Sequence, residues 1–226
     1  MKANRGLNPR ALTLIAAAAL TLAASPRTSA AGANDFILEA PPQRVRGGAG
    51  LRAATWQVVD LADASGITQY EGWLQKGLDL HLVLESTLGY WQHEESSTTP
   101  GPLSTETTHE LYTYLVPALT AMKMYPVTKP TAALEPYLAA GLGPVLRIQR
   151  EKITSTDPLE IPSDETRIET GFGIQSSAGL DWSPPGAFGL SLGGSYQWAT
   201  FGQNASGRRM YRGPGVNVGL TYRFQY

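Results

Sequence analysis

Residues 215–226 alternate without a break. Even positions hold Val216, Val218, Leu220, Tyr222, Phe224 and Tyr226, and odd positions hold Gly215, Asn217, Gly219, Thr221, Arg223 and Gln225. A helix brings side chains back to one face roughly every 3.6 residues, whereas a strand does so every second residue. This segment can therefore separate an apolar from a polar face only as a β-strand. The same period runs through residues 188–200, 167–182 and 134–148, and less regularly through 111–125, 82–93, 69–78 and 51–59. These eight segments of 9 to 16 residues predict an all-β fold.

The connections sort by length. Those after the second, fourth and sixth segments are short (79–80, 126–133 and 183–187), while those after the third, fifth and seventh are long and polar (94–110, 151–166 and 202–214). Short turns on one side and long loops on the other are the layout of a membrane β-barrel with both chain ends in the periplasm. A soluble Greek key has no reason to segregate loops in this way. Mean hydropathy is −0.17, unremarkable for a soluble protein. Averaging, however, erases an alternation of lipid-facing and lumen-facing residues. The 16% of charged residues is more telling, since soluble domains carry about 25%.

The chain opens with Lys2, Arg5 and Arg10, an apolar run over residues 11–24, and small residues at 29–33. Basic, apolar, then small is the order of a cleaved signal peptide, and the apolar run is too short to span a bilayer as a helix. The expected organisation is a signal peptide over 1–31, a short periplasmic leader over 32–49 and an outer-membrane β-barrel over 50–226. Cleavage removes four basic residues (Lys2, Arg5, Arg10, Arg27) and leaves fourteen basic against nineteen acidic, a net charge of −5 instead of −1. No bulk basic field points to nucleic acid. The absence of cysteine excludes disulfides, thiolate metal clusters and a Cys nucleophile.

Two stretches stand out: residues 134–143 (Leu-Glu-Pro-Tyr-Leu-Ala-Ala-Gly-Leu-Gly), with a Pro-Tyr-x-x-x-Gly-x-Gly pattern, and the C-terminal series Asn217, Gly219, Tyr222, Phe224 and the terminal Tyr226. Through them the chain from about residue 50 onward resembles small bacterial outer-membrane β-barrels of the OmpA/OmpX type, in which the first pattern is a common strand and the second is that of the C-terminal targeting strand. The resemblance implies an eight-stranded antiparallel transmembrane β-barrel in the Gram-negative outer membrane, inserted by the barrel-assembly machinery and surrounded by outer-membrane lipid and lipopolysaccharide. A monomer is expected.

An eight-stranded barrel has an interior just wide enough for side chains to fill. Inward charges are expected near the periplasmic turns (Glu85, Lys123, Glu135, Asp181, Arg223) and toward the outer loops (Arg147, Arg167, Glu169). A charge in a narrow lumen must be paired or hydrated, so internal ion pairs are expected, Arg147 with Glu169 and Lys123 with Glu135. Inward glycines, among them Gly141, Gly143 and Gly193, leave room for these long side chains. Aromatic girdles are expected at Tyr90, Tyr112, Tyr114, Tyr196 and Trp198 outside and at Tyr125, Trp182, Phe188, Phe224 and Tyr226 on the periplasmic side.

Residues that could carry chemistry are few. His93 lies beside Glu94, Glu95 and Ser96 at an outer strand end, but a nucleophilic Ser must sit within hydrogen-bond reach of its base. The three-residue step from His93 to Ser96 puts them on opposite faces of a strand. The acids at Glu151, Asp157, Glu160, Asp164 and Glu165 lack the spacing of a calcium loop. No catalytic residue, metal or cofactor is therefore assigned. Arg208, Arg209 and Arg212 form the basic cluster of the last outer loop, placed to meet lipopolysaccharide phosphates through charge-assisted hydrogen bonds. The expected function is a non-enzymatic envelope structural or surface-interaction barrel; a small channel and a lipid A-modifying enzyme are the alternatives.

Overall fold

The computed structural model describes residues 47–59, 67–79, 81–100, 106–126, 133–155, 162–184, 186–205 and 208–224. The signal peptide, most of the leader and Tyr226 lie outside the described residues. Eight strands follow in order: β1 (Gly47–Trp56), β2 (Ile67–Gly77), β3 (Leu82–Pro100), β4 (Glu106–Met124), β5 (Leu134–Ser155), β6 (Ser163–Trp182), β7 (Phe188–Ala205) and β8 (Arg208–Arg223). Each pairs antiparallel with its neighbour in sequence, and β1 pairs with β8 to close the barrel. Closure satisfies the backbone N–H and C=O groups that hydrocarbon cannot.

The stagger of the barrel can be followed from residue to residue. From Gly48 the registers lead through Gln75, Glu85, Ala121, Gly141, Gln175 and Gln197 to Gly213. Gly213 stands beside Val58, where the backbone of Gln57 and Val59 bonds to Pro214 and Arg212. One circuit thus climbs β1 from residue 48 to residue 58. A stagger of this size requires strands tilted by about 40° from the barrel axis. At the seam, the Trp56 indole Nε1 donates to the carbonyl of Gly213 at 3.2 Å.

The two faces separate as the alternation requires. Leu51, Leu142, Ile168, Val216 and Val218 point outward with more than half of their surface exposed. So large an apolar belt is stable only against lipid. Odd positions of β2 to β8 and even positions of β1 point inward.

The boundaries differ from the sequence reading in two ways. β1 begins at Gly47, so residues 47–49 belong to the barrel and not to the leader, and it ends at Trp56. More consequentially, much of each expected outer loop is strand. β5 has 22 residues, which at about 3.3 Å each makes a strand about 70 Å long, rising about 50 Å when tilted, against an apolar band of about 25 Å. Pairing of β2 with β3 reaches outward only to Gln69↔Trp91, and regular pairing of β6 with β7 only to Phe172↔Thr200. Beyond those points β3 to β6 continue as a four-stranded sheet. Threonines and cross-strand pairs favour the extension. Thr107 lies 3.1 Å from Ser155, Arg150 pairs with Asp164 at 2.5 Å and Lys152 with Glu110 at 3.4 Å. Both faces of this sheet meet water, so its sequence shows no apolar period.

The periplasmic turns are locally built. In the β2–β3 turn, the Asp79 carboxylate accepts from the backbone N–H groups of His81 (2.6 Å) and Leu82 (2.7 Å). Those two bonds hold its carboxyl below the usual carboxylate range. In the β6–β7 turn, Gly186 adopts φ +131°, a conformation side chains disfavour.

Candidate functional site

The inward face of each strand changes character along the barrel axis, and the lumen is consequently layered. Nearest the periplasm lies an ionic layer. Arg52 on β1 donates to Glu85 on β3 at 2.7 Å and pairs with its register partner Glu71 on β2 at 3.2 Å. Gln69, two residues along β2, donates to Glu71 at 2.6 Å. Lys123 on β4 donates to Asp181 on β6 at 2.6 Å and stands 3.9 Å from Glu85. Its ammonium also lies 3.9 Å from the centre of the Tyr137 ring, a cation–π contact. The Tyr125 hydroxyl donates to the same Asp181 oxygen at 2.6 Å.

Farther out lies an apolar layer. Trp56, Trp91, Leu115, Val145, Phe201 and Tyr211 form one buried cluster, each at most 4% exposed. Edge-to-face contacts run from Trp56 to Trp91 (5.5 Å), Trp91 to Tyr211 (6.0 Å) and Tyr211 to Phe201 (5.9 Å). Glycines on β6 make room for it: a Cβ on Gly173 would stand 2.6 Å from Val145, and one on Gly171 would run into the Phe201 ring.

Above this layer sits a second polar group. Arg147 pairs with its register partner Glu169, donates to the carbonyl of Arg208 at 2.8 Å and places its guanidinium 4.3 Å from the centre of the Phe201 ring. Arg208 in turn donates to Glu95 at 3.0 Å. His93 stacks on Trp91 at 5.8 Å and lies 3.3 Å from Glu95.

Several expected site residues are placed differently. Lys123 reaches Asp181 and Glu85, not Glu135, because its register partner on β5 is Ala139, and Glu135 lies further toward the periplasmic end of that strand. Arg167 is not in the lumen. It lies on β6 beyond the last pairing with β7, exposed and 2.8 Å from Glu165. Arg223 caps a turn, donating to the carbonyls of Pro184, Gly186 (2.5 Å) and Phe188 (3.3 Å). Tyr125, expected in the periplasmic girdle, is buried in the lumen, because odd positions of β4 point inward through its end.

At the C-terminus, Asn217 and Gly219 face the lumen, while Tyr222 and Phe224 face out with rings 6.0 Å apart. Arg209 and Arg212 are exposed on the outer half of β8, whereas Arg208 is half-buried among Glu95 and the Arg147 side chain. The sequence reading missed Arg52, Glu71 and the aromatic layer. The phase of the two strands, inverted in β1 with Leu51 outward and ordinary in β2 with Tyr70 outward, is the signal that identifies the two charges.

Among the described residues no three His, Asp or Glu side chains cluster as metal ligands would. The family model for the outer membrane protein beta-barrel domain matches residues 14–224. Among solved structures the chain is similar to Neisserial surface protein A (NspA), at 15% identity over 80% of this chain and 97% of that one, TM-score 0.42. It is also similar to the N-terminal beta-barrel domain of Pseudomonas aeruginosa OprF, at 16% identity over 79% and 100%, TM-score 0.37. A third is the attachment invasion locus protein Ail of Yersinia pestis in complex with the heparin analogue sucrose octasulfate, at 11% identity over 80% and 97%, TM-score 0.40. No curated protein matches the sequence.

Proposed function

Because this chain belongs to the outer membrane protein beta-barrel domain family, and is thus an outer-membrane barrel, we propose that it is a non-enzymatic envelope protein with a closed lumen, acting through its outer surface. The observation that carries this reading is the four-stranded sheet of β3 to β6, which continues past the apolar belt and bears the Arg150–Asp164 and Lys152–Glu110 pairs. Long, ordered and charged strands beyond the bilayer supply a surface for interaction. The filled lumen beneath supplies no path for solute.

Lipopolysaccharide is the proposed neighbour of the outer half of β8. Arg209 and Arg212 are exposed there, with Arg212 the register partner of the outward Trp198. An arginine beside an interfacial aromatic is suited to a headgroup phosphate. The test compares thermal unfolding of the folded barrel in nanodiscs with and without lipopolysaccharide. Lipopolysaccharide should raise the midpoint, and Arg209→Glu with Arg212→Glu should abolish the increase; equal midpoints in both discs for the wild type would remove lipopolysaccharide from the reading. Mass spectrometry of lipid A from cells with and without the gene tests the non-enzymatic part, for which an unchanged acylation pattern is expected.

A further inference from the structure

One guanidinium meets two carboxyls in the lumen between β1, β2 and β3. Arg52 turns Nη2 to Oε1 of Glu85 at 2.7 Å and Nη1 to Oε2 of Glu71 at 3.2 Å. The three residues are 7%, 5% and 5% exposed. The aromatic layer lies on their outer side, and Val83, Tyr125 and Tyr137 pack together on the periplasmic side.

The surrounding strands do not balance the second carboxyl. On β4, Lys123 stands 3.9 Å from Glu85 but donates to Asp181 of β6 at 2.6 Å, and the Tyr125 hydroxyl joins that pair. β5 contributes Tyr137 and, toward the periplasm, a further acid, Glu135. β7 and β8 contribute the uncharged Ser191 and Asn217, while Arg223 is engaged by turn carbonyls, among them Gly186 at 2.5 Å. Oε2 of Glu71 and Oε2 of Glu85 are both buried without a hydrogen-bond partner among the described residues. An uncompensated charge buried in this way is neutralised by a proton, and two carboxyls that share one site do not both ionise.

We propose that Glu71, Arg52 and Glu85 form a proton-binding site: the two carboxyls hold one proton between them, and the folded barrel carries it at neutral pH where the unfolded chain does not. Gln69 suits either form of its neighbour. Its Nε2 donates to Oε1 of Glu71 at 2.6 Å, while its own Oε1 is buried with no partner among the described residues. Turned over, the amide presents that oxygen to a protonated Glu71. The proton is taken from solvent on folding, so stability falls as pH rises through the range where the folded state binds one proton more than the unfolded state. That range begins above about 4.3, the ordinary value for a glutamate. The inference is independent of what the outer surface binds.

Two measurements test it. A protonated carboxyl has an infrared carbonyl stretch that carboxylates lack, and the folded wild type at pH 7 should show one such band. Glu71→Gln and Glu85→Gln should each remove it, because either leaves one carboxylate to one guanidinium; a wild type without the band would overturn the proposal before any substitution is made. Urea unfolding of the full barrel at pH 5.5 to 7.5 gives the second readout. Relative to either Gln variant, the wild-type unfolding constant should rise about tenfold per pH unit, the linkage of one proton. Asp79→Ala, in the β2–β3 turn, should keep the wild-type slope. A ratio of wild type to Gln variant that stays constant with pH would overturn the proposal.

Discussion

The guanidinium of Arg147 lies 4.3 Å from the centre of the Phe201 ring. One residue thus joins the apolar layer to the polar group above it, since the same guanidinium pairs with Glu169 and donates to the carbonyl of Arg208. Arg147 is 1% exposed. Its removal takes a buried guanidinium from a carboxylate and a carbonyl at once. Arg147→Ala should destabilise the barrel by about 3 kcal/mol, within the range for breaking a buried pair. Arg147→Lys should recover little, because an ammonium cannot stack on the ring and fork to two acceptors. Urea unfolding followed by tryptophan fluorescence measures both, and wild-type stability in Arg147→Ala would refute a structural role.

Arg52 serves two carboxylates, Glu71 and Glu85. Arg52→Met leaves both buried beside one another, with Lys123 3.9 Å from the second. It should cost more than Glu71→Gln, and the two changes together should cost less than their sum. Such a double-mutant cycle in the same unfolding assay should give a coupling of about 1–3 kcal/mol. Simple additivity would mean that Arg52 and Glu71 are neighbours without being partners.

Tyr137 passes over the β7 backbone so closely that a Cβ on Gly193 would meet its hydroxyl, with the carbonyl of Ala178 2.9 Å away. Gly193→Ala should therefore destabilise by about 1–3 kcal/mol, the usual cost of overpacking. Tyr137→Phe in the same chain should return part of that loss, by removing the clashing oxygen. If Gly193→Ala is as stable as the wild type, the close approach does not constrain this position.

Asp79 gives a pH signature of known sign. The N–H groups of His81 and Leu82 hold its carboxyl below the ordinary range in the folded barrel. A depressed carboxyl stabilises fully above its unfolded value, about 4, and the contribution disappears as pH falls through the folded value. The stability advantage of the wild type over Asp79→Ala should therefore be constant from neutral pH to about 4 and shrink only below it. An advantage that fell between pH 7 and 5 would point to a different group.

The barrel was legible in the sequence because β5 to β8 bury one face in the lumen and show the other to lipid, so residues such as Leu138, Leu142, Val216 and Leu220 fall on one side. The outer extensions were not legible, because Thr98, Thr108 and Thr154 stand on a sheet wetted on both faces. Strand and polar loop then share a composition. Arg147 and Glu169 could be matched because they stand at inward positions on the two adjacent strands of one hairpin. Lys123 and Asp181 could not, as they are joined across the lumen and not along a hairpin. The aromatic layer was hidden for a related reason: Trp91 and Tyr211 read equally well as girdle residues until the phase of each strand is known.

The seam has a consequence for how the molecule comes together. β5 and β6 match over twenty positions, from Leu134↔Trp182 to Ile153↔Ser163, within one hairpin. β1 and β8 match over only nine, from Gly48↔Arg223 to Trp56↔Gly215, and the bond from Trp56 to Gly213 spans 157 residues of chain. Hairpins of low contact order form early, while a contact between distant residues yields nothing until the loop it closes has been ordered. Seven ladders should thus assemble before the eighth, leaving a late intermediate: an open, curved sheet with two free edges whose inward aromatics still lack a partner across the gap.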